Sequence, residues 1–400
     1  MSENIREDLE LAKKNYRSKN YKEAEKIYKF HYNEHPDQLN IWDRRFYSWS
    51  LYYLYVKNPI DENDLFDAIG LITTLVKQTN MSKKDGICAY TLSMMTFMRY
   101  LDREKDFASI VMWADKINPD FLSNRVQKFT SQFGEEIEYP SDKEKYYGWV
   151  SKALYETNNY VECIEISKKA LDEFDSFKDD RDIWLKWRIA KSCRQVGDYS
   201  QSIKYLKEVY KDKNDWFVET EFAEVYHALD ENEKSLKHAL TAVLQSGNTE
   251  MKVNLYSLLE ELLSEDYPEE AMKHAYLAYA IRLYNEWTIS EELEDKIESA
   301  GFDTENTEYW KIEKELKKFW EELKYKDHEI QHGIISKIFP HGNSGFIQGE
   351  NGSSYYFKRS EFKGSRDEFE EYASVSFYIV EGFNRSKNEV SENAVNIRPV

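Results

Sequence analysis

Glycine and proline are scarce in this chain, 14 and 7 among 400 residues. That excludes a low-complexity, disordered chain for most of the length and suits long helices. The glycines are nowhere grouped ahead of a helix, so neither a phosphate loop nor a dinucleotide fingerprint is present. Cysteine is scarcer still. Cys88, Cys163 and Cys193 are odd in number and far apart, which excludes a disulfide framework; they read as small packing residues in a reducing compartment. No Cys and His pairing suits nucleophilic catalysis. Nor is there an uncharged apolar run of about 18 residues, and residues 1–14 are polar and acidic. Neither membrane insertion nor export is indicated, and the cytoplasm is the expected address.

What the chain has is apolar and charged residues, 41% and 32%. Four hundred residues exceed one compact core, so several domains or an elongated array whose core grows with length is expected. The net charge of −19 is uneven: residues 331–400 hold 8 Lys and Arg against 9 Asp and Glu, so nearly all of it falls on residues 1–330. That longer part repels phosphates at range, whereas the tail tolerates them locally.

Several helix pairs share one spacing, a small or packing residue followed four and seven positions later by others on the same face. The sets are Ala24, Tyr28, His31; Cys163, Ser167, Ala170; Ser202, Leu206, Val209; Ser235, Ala239, Ala242; and Ala271, Ala275, Ala278. Twelve positions before each anchor stand Ala12, Ser151, Ala190, Ala223 and Leu259 on the preceding helix. Three of the second helices open on Asn or Asp followed by Tyr (Asn20-Tyr21, Asn159-Tyr160, Asp198-Tyr199), where the polar residue can satisfy free amides and the ring wedges between helices. The anchors 163, 202, 235 and 271 recur close to the period of about 34 residues of tetratricopeptide repeats, which this part of the chain resembles. The resemblance implies a helical solenoid over residues 1–300, with about six to seven repeats, and a protein partner in its groove. Tyr147, Lys186 and Tyr226 are candidate groove residues. Residues 132–145 are expected to loop out and mark a bend. Residues 301–330 read as a capping and linking segment, in which Trp310, Phe319 and Trp320 cover the core.

Near His332 the pattern changes to short alternating segments, read as strands at 333–339, 344–349, 354–358, 374–381 and 394–398. Gly333-Ile334-Ile335, Gly345-Phe346-Ile347, Asn351-Gly352, the run 355–360, Val375-Ser376-Phe377 and the run 393–397 follow in order and spacing the pattern of a cold-shock domain, which residues 331–400 resemble. The resemblance implies a five-stranded OB-type barrel with a face that stacks single-stranded RNA or DNA. Lys337, Phe346, Tyr356 and Lys358 fall on that face, with Arg359 beside them. Lys337 stands where the family has Trp, Ser344 where it has an aromatic, and Lys358 and Arg359 where it has His and Phe. Two aromatics and three cations imply weaker stacking and a larger phosphate and cation–π share.

His328-Glu329-Ile330-Gln331-His332 matches the zinc-protease string, which requires both imidazoles on one helix face. Here Gly333 and strand-forming residues follow at once. The expected fold is thus an all-α repeat solenoid followed by a small all-β barrel, acting as a non-enzymatic adaptor that needs no cofactor. A pure protein-interaction scaffold remains the alternative. A zinc hydrolase, or adventitious metal binding by His328, His332 and His341, stands behind it.

Overall fold

The computed structural model describes residues 3–80, 88–132, 134–305, 307–384 and 389–400. The chain divides into two compact units, Met1–Asp230 and Glu231–Val400. The first contains α1 (Glu3–Arg17), α2 (Tyr21–Glu34), α3 (Ile41–Leu51), α4 (Glu62–Leu75), α5 (Ala89–Glu104), α6 (Phe107–Ala114), the strands β1 (Gln127–Thr130) and β2 (Glu136–Tyr139), then α7 (Asp142–Glu156), α8 (Tyr160–Glu173), α9 (Arg181–Gln195), α10 (Tyr199–Tyr210) and α11 (Trp216–Ala228). The second holds α12 (Asn232–Leu244), α13 (Val253–Leu263), α14 (Pro268–Tyr284), α15 (Glu291–Ser299) and α16 (Tyr309–Lys324). It ends in β3 (Gln331–Ile338), β4 (Ser344–Gly349), β5 (Ser354–Lys358), β6 (Ser374–Asn384) and β7 (Glu389–Pro399). Among the described residues no helix is long and apolar enough to cross a membrane.

The small-residue spacing is the packing code of the helices. Ala12, Ser151, Ala190, Ala223 and Leu259 are fully buried, as are the anchors Ala24, Cys163, Ser202 and Ser235. Close approach lets the Cys163 thiol reach the Ser151 carbonyl at 3.2 Å. The helix pairs turn the same way each time. A left-handed residue (Lys19, Asn158 or Gly197) is followed by Asn20, Asn159 or Asp198, whose N–H donates to the carbonyl five residues back, of Asn15, Leu154 and Cys193. Orphan carbonyls at the helix end are satisfied in this way. Side-chain capping is less general than expected: Asp198 accepts from the Gln201 N–H, whereas Asn20 and Asn159 make no such bond.

Residues 132–145, expected to loop out, instead hold β2, paired antiparallel with β1, and the start of α7, closed by a capping box between Ser141 and Glu144. In the second unit Trp320 is buried, donating its indole N–H to His274 Nε2 at 2.7 Å, and Phe319 packs on Tyr267. Trp310 departs from the expected capping role and lies exposed beside Tyr284 and Tyr309.

The last five strands form a closed barrel in the order β3-β4-β5-β7-β6, antiparallel except for β5 beside β7. Ile335, Ile347, Tyr355, Phe357, Val375, Phe377, Ala394 and Ile397 fill it. Gly345 permits a close crossing, since a Cβ there would lie 2.2 Å from the Lys337 carbonyl oxygen and 2.9 Å from the Phe357 ring. The barrel leans on α16 through β6, β7 and the segment after β5. Glu321 pairs with Arg398 at 2.7 Å and Lys363 at 3.6 Å, and Tyr325 stacks on Tyr378 with centroids 4.6 Å apart.

Candidate nucleic-acid interface

A β-bulge builds the candidate face. The β3–β4 register shifts between Ile335 and Lys337, and Ser336 donates its hydroxyl to the Phe346 carbonyl at 3.0 Å. An extra residue at this point resets the alternation of the strand. Ile335 is therefore fully buried while Lys337 is exposed. Lys337 pairs with Phe346, Phe346 with Tyr356, and Ser344 with Lys358, so four of the expected residues do come together across three adjacent strands.

Phe346 and Tyr356 are half-buried and meet edge to face, with centroids 5.9 Å apart. Their orientation is fixed from below by Ile347, Tyr355 and Phe357 in the core, because strand neighbours point to opposite faces. Phe339, just past the end of β3, adds a third ring 5.6 Å from Phe346, and His341 follows at 5.7 Å from Phe339. Sequence reading missed Phe339 as a platform residue. Its signal was the period of two counted from Lys337, since alternate residues of a strand share a face. The Lys337 ammonium lies 5.7 Å from the Phe339 ring centre. The ion pairs on this barrel engage Lys363 and Arg398, which leaves Lys337 and Lys358 without a carboxylate partner among the described residues. The contacts with α16 and Tyr325 described above use other barrel residues, Lys363, Tyr378 and Arg398.

Arg359 does not join the platform. It sits in the short turn after β5, with its guanidinium 4.0 Å over Phe369 and 5.0 Å over Phe362. Those rings belong to the barrel core and its edge, so the arginine closes one end of the barrel.

The groove residues fare differently. Tyr147 is 1% exposed and donates to Glu173 at 2.9 Å, with burial first and Glu173 second raising its pKa; it is a core residue and cannot line a groove. Lys186 is tied to Asp182 at 3.1 Å. Tyr226 is half-buried and stacks on Phe222.

The zinc-protease string lies on no helix. His328 falls in the turn after α16, its ring against Tyr325 and Tyr378, and His332 is in β3 opposite Ser376. Consecutive strand and turn positions do not present two imidazoles on one helical face. Among the described residues no three His, Cys, Asp or Glu side chains gather as a metal site.

Residues 183–322, from α9 into α16, match a family model described as "Domain of unknown function (DUF7017)". The match stops short of β3. No curated protein matches the chain. It is similar to a tetratricopeptide repeat protein from Parabacteroides merdae, with 13% identity and a TM-score of 0.35 over 74% of this chain and 97% of that one. Bacillus thuringiensis PlcR, solved in complex with the peptide PapR7 and DNA, has 16% identity and a TM-score of 0.32 over 60% and 86%. Human IFIT1, solved as a dimer with PPP-AAAA, has 14% identity and a TM-score of 0.35 over 74% and 69%. The division into helical repeats and closed barrel rests on the packing described above.

Proposed function

We propose that this chain is a non-enzymatic cytoplasmic adaptor. Its helical repeats hold a protein partner, and its barrel, a cold-shock-like OB module, binds single-stranded nucleic acid, with RNA favoured over DNA. The observation that carries the reading is the ring cluster of Phe339, Phe346 and Tyr356, beside Lys337 and Lys358, which have no carboxylate partner among the described residues. Bases stack on Phe346 and Tyr356, each contributing roughly 1 to 3 kcal/mol. Phe339 closes the platform edge, and the two lysines take adjacent phosphates.

Two phosphate contacts give a slope of about −1.4 in log affinity against log salt. Binding is therefore local and modest, as a nearly neutral barrel on a strongly acidic chain requires. The test titrates the full chain against matched fluorescent RNA and DNA hexamers at two salt concentrations. Phe346→Ala and Tyr356→Ala should each weaken binding about tenfold, while Lys363→Ala, on the α16 side, leaves it within about twofold. Absence of binding at low salt sinks the nucleic-acid reading and leaves the barrel as a protein-docking module.

A further inference from the structure

Three aromatic rings meet where α14 ends and α16 begins. The Tyr284 centroid lies 5.3 Å from that of Tyr309 and 6.3 Å from that of Trp310, the latter two are 5.4 Å apart, and the planes are inclined at 73°, 88° and 74°. Three planes at near right angles form a corner. Tyr284 and Trp310 are 52% and 48% exposed. A single exposed ring needs no account, whereas open rings in mutual contact mark a surface built for a guest.

The surroundings of the corner are acidic. Tyr309 donates its hydroxyl to Glu250 Oε1 at 2.7 Å, and Glu250 Oε2 is buried with no hydrogen-bond partner. One turn along α16, Glu313 accepts the Thr249 hydroxyl at 3.0 Å. Neither carboxylate forms an ion pair among the described residues. The bond to Glu250 first and burial second push the Tyr309 pKa up to about 12, and the charges of Glu250 and Glu313 act in the same direction. The neighbouring cations are engaged elsewhere. Lys311 pairs with Glu308 at 2.5 Å, and Arg282 donates to the Thr288 carbonyl at 3.3 Å. Lys252 feels the Glu313 charge, but its ammonium donates to the Val243 and Gln245 carbonyls at 3.3 and 2.6 Å. No lysine or arginine lies over the three rings among the described residues, although such contacts occur elsewhere in the chain, as between Arg45 and Trp42 or Lys116 and Trp113.

We propose that this corner seats a basic side chain of a protein partner, its cationic head against the faces of Tyr284, Tyr309 and Trp310 and within the field of Glu250 and Glu313. The chemistry is a cation–π contact reinforced by carboxylates. A tyrosine hydroxyl bonded to a carboxylate gains negative charge on its ring, which deepens the attraction. The same carboxylates repel phosphates, so nucleic-acid bases are not the guests of these rings. A neutral apolar segment would gain nothing from the field and would leave Glu250 Oε2 as it is. The inference rests on the reading that the helical part of the chain holds a protein partner, and it names a side chain recognised there.

The test follows the indole N–H signals of the full chain carrying isotope-labelled tryptophan, one for each of its ten tryptophans. Trp310→Phe assigns the Trp310 signal by its loss. The probes are the N-acetyl methylamides of lysine, trimethyllysine and arginine, with that of norleucine as the neutral control and choline as a free ammonium compound. The cationic amides should shift the Trp310 signal saturably and bind about fivefold tighter than norleucine, while the signal of the buried Trp320 stays in place. The order among them identifies the head group. Tyr284→Ala should abolish the preference for charge, Tyr284→Phe retain it and Glu250→Gln reduce it, with oligonucleotide binding unchanged in all three. Equal binding of norleucine, no shift at low salt, a preference that survives Tyr284→Ala, or tighter binding of choline than of every amide would overturn the site. Capped hexapeptides of random sequence, dialysed against the full chain, test the underlying reading separately. Enrichment of lysine or arginine supports both. Retention without that enrichment overturns the basic site and leaves protein binding intact, and retention of no peptide removes the protein-binding reading together with this occupant.

Discussion

The helical repeats and the terminal barrel solve close approach in opposite ways. In the helices, small side chains recur at a fixed spacing, and each pair is closed by neighbours about twelve residues apart, such as Ser151 and Cys163. In the barrel, neighbouring strands must cross at single points, and Gly345 occupies one of them, against the Lys337 carbonyl. The repeats spread their tolerance over many equivalent contacts. The barrel concentrates its requirement on a few.

The largest expected effect follows from that difference. Gly345→Ala places a methyl group against the Lys337 carbonyl and the buried Phe357 ring, neither of which can yield without moving β3 or the core. It should destabilise the barrel by about 3 kcal/mol. All ten tryptophans lie outside residues 331–400, so tryptophan fluorescence does not report on the barrel directly. Amide exchange does: protection should collapse in β3–β5 and persist in α7–α10. Unchanged protection in the strands would break the contrast.

A second test asks whether one polar pair in the helices can matter as much as a barrel crossing. His274 is fully buried, its Nδ1–H donating to the Glu270 carbonyl at 2.7 Å and its Nε2 accepting from Trp320. Burial lowers its pKa to about 4. The unfolded chain takes up this proton near 6.5, so between those values the unfolded state binds more protons and stability falls as pH falls. At pH 5 the loss from this group amounts to roughly 2 kcal/mol, and above pH 7 it vanishes. Denaturant unfolding of the parent and of His274→Phe at pH 7.5 and pH 5 isolates the effect. The variant is less stable at both but should lack this part of the pH dependence; parallel slopes would rule out the neutral, buried ring.

The same contrast governs what could be read from sequence. The helix pairs were legible because the +12, +4 and +7 relations are local, and β4 and β5 fall at the residues expected. The β1–β2 hairpin was not: its strands are four residues each and almost wholly exposed, so no inward alternation marks them. Tyr147 was read as a groove residue, but it is buried on α7 and bonded to Glu173; an aromatic at helical spacing does not by itself show whether its face is covered. Phe339 was legible from its spacing of two from Lys337 and was nonetheless missed; the bulge at Ser336 lies before both residues and leaves that spacing intact. Arg359 followed the family pattern to the end of β5, where two phenylalanines of this chain capture it.

The smallest effect has the opposite sign and probes the tolerance of the repeats. Ser202 anchors α10 fully buried, and its hydroxyl has no hydrogen-bond partner. What the anchor position requires is small volume, which alanine supplies equally, as Ala24 does on α2. Ser202→Ala removes the desolvated hydroxyl and raises helix propensity, so it should stabilise the first unit by about 1 kcal/mol. Thermal melting monitored by circular dichroism, with Gly345→Ala run alongside, measures both changes in one assay. One deleted oxygen then strengthens a helix pair while one added methyl group undoes a strand crossing. A Ser202→Ala variant that melts lower than the parent would mean that the anchor depends on its hydroxyl, and that the repeats are as exacting as the barrel.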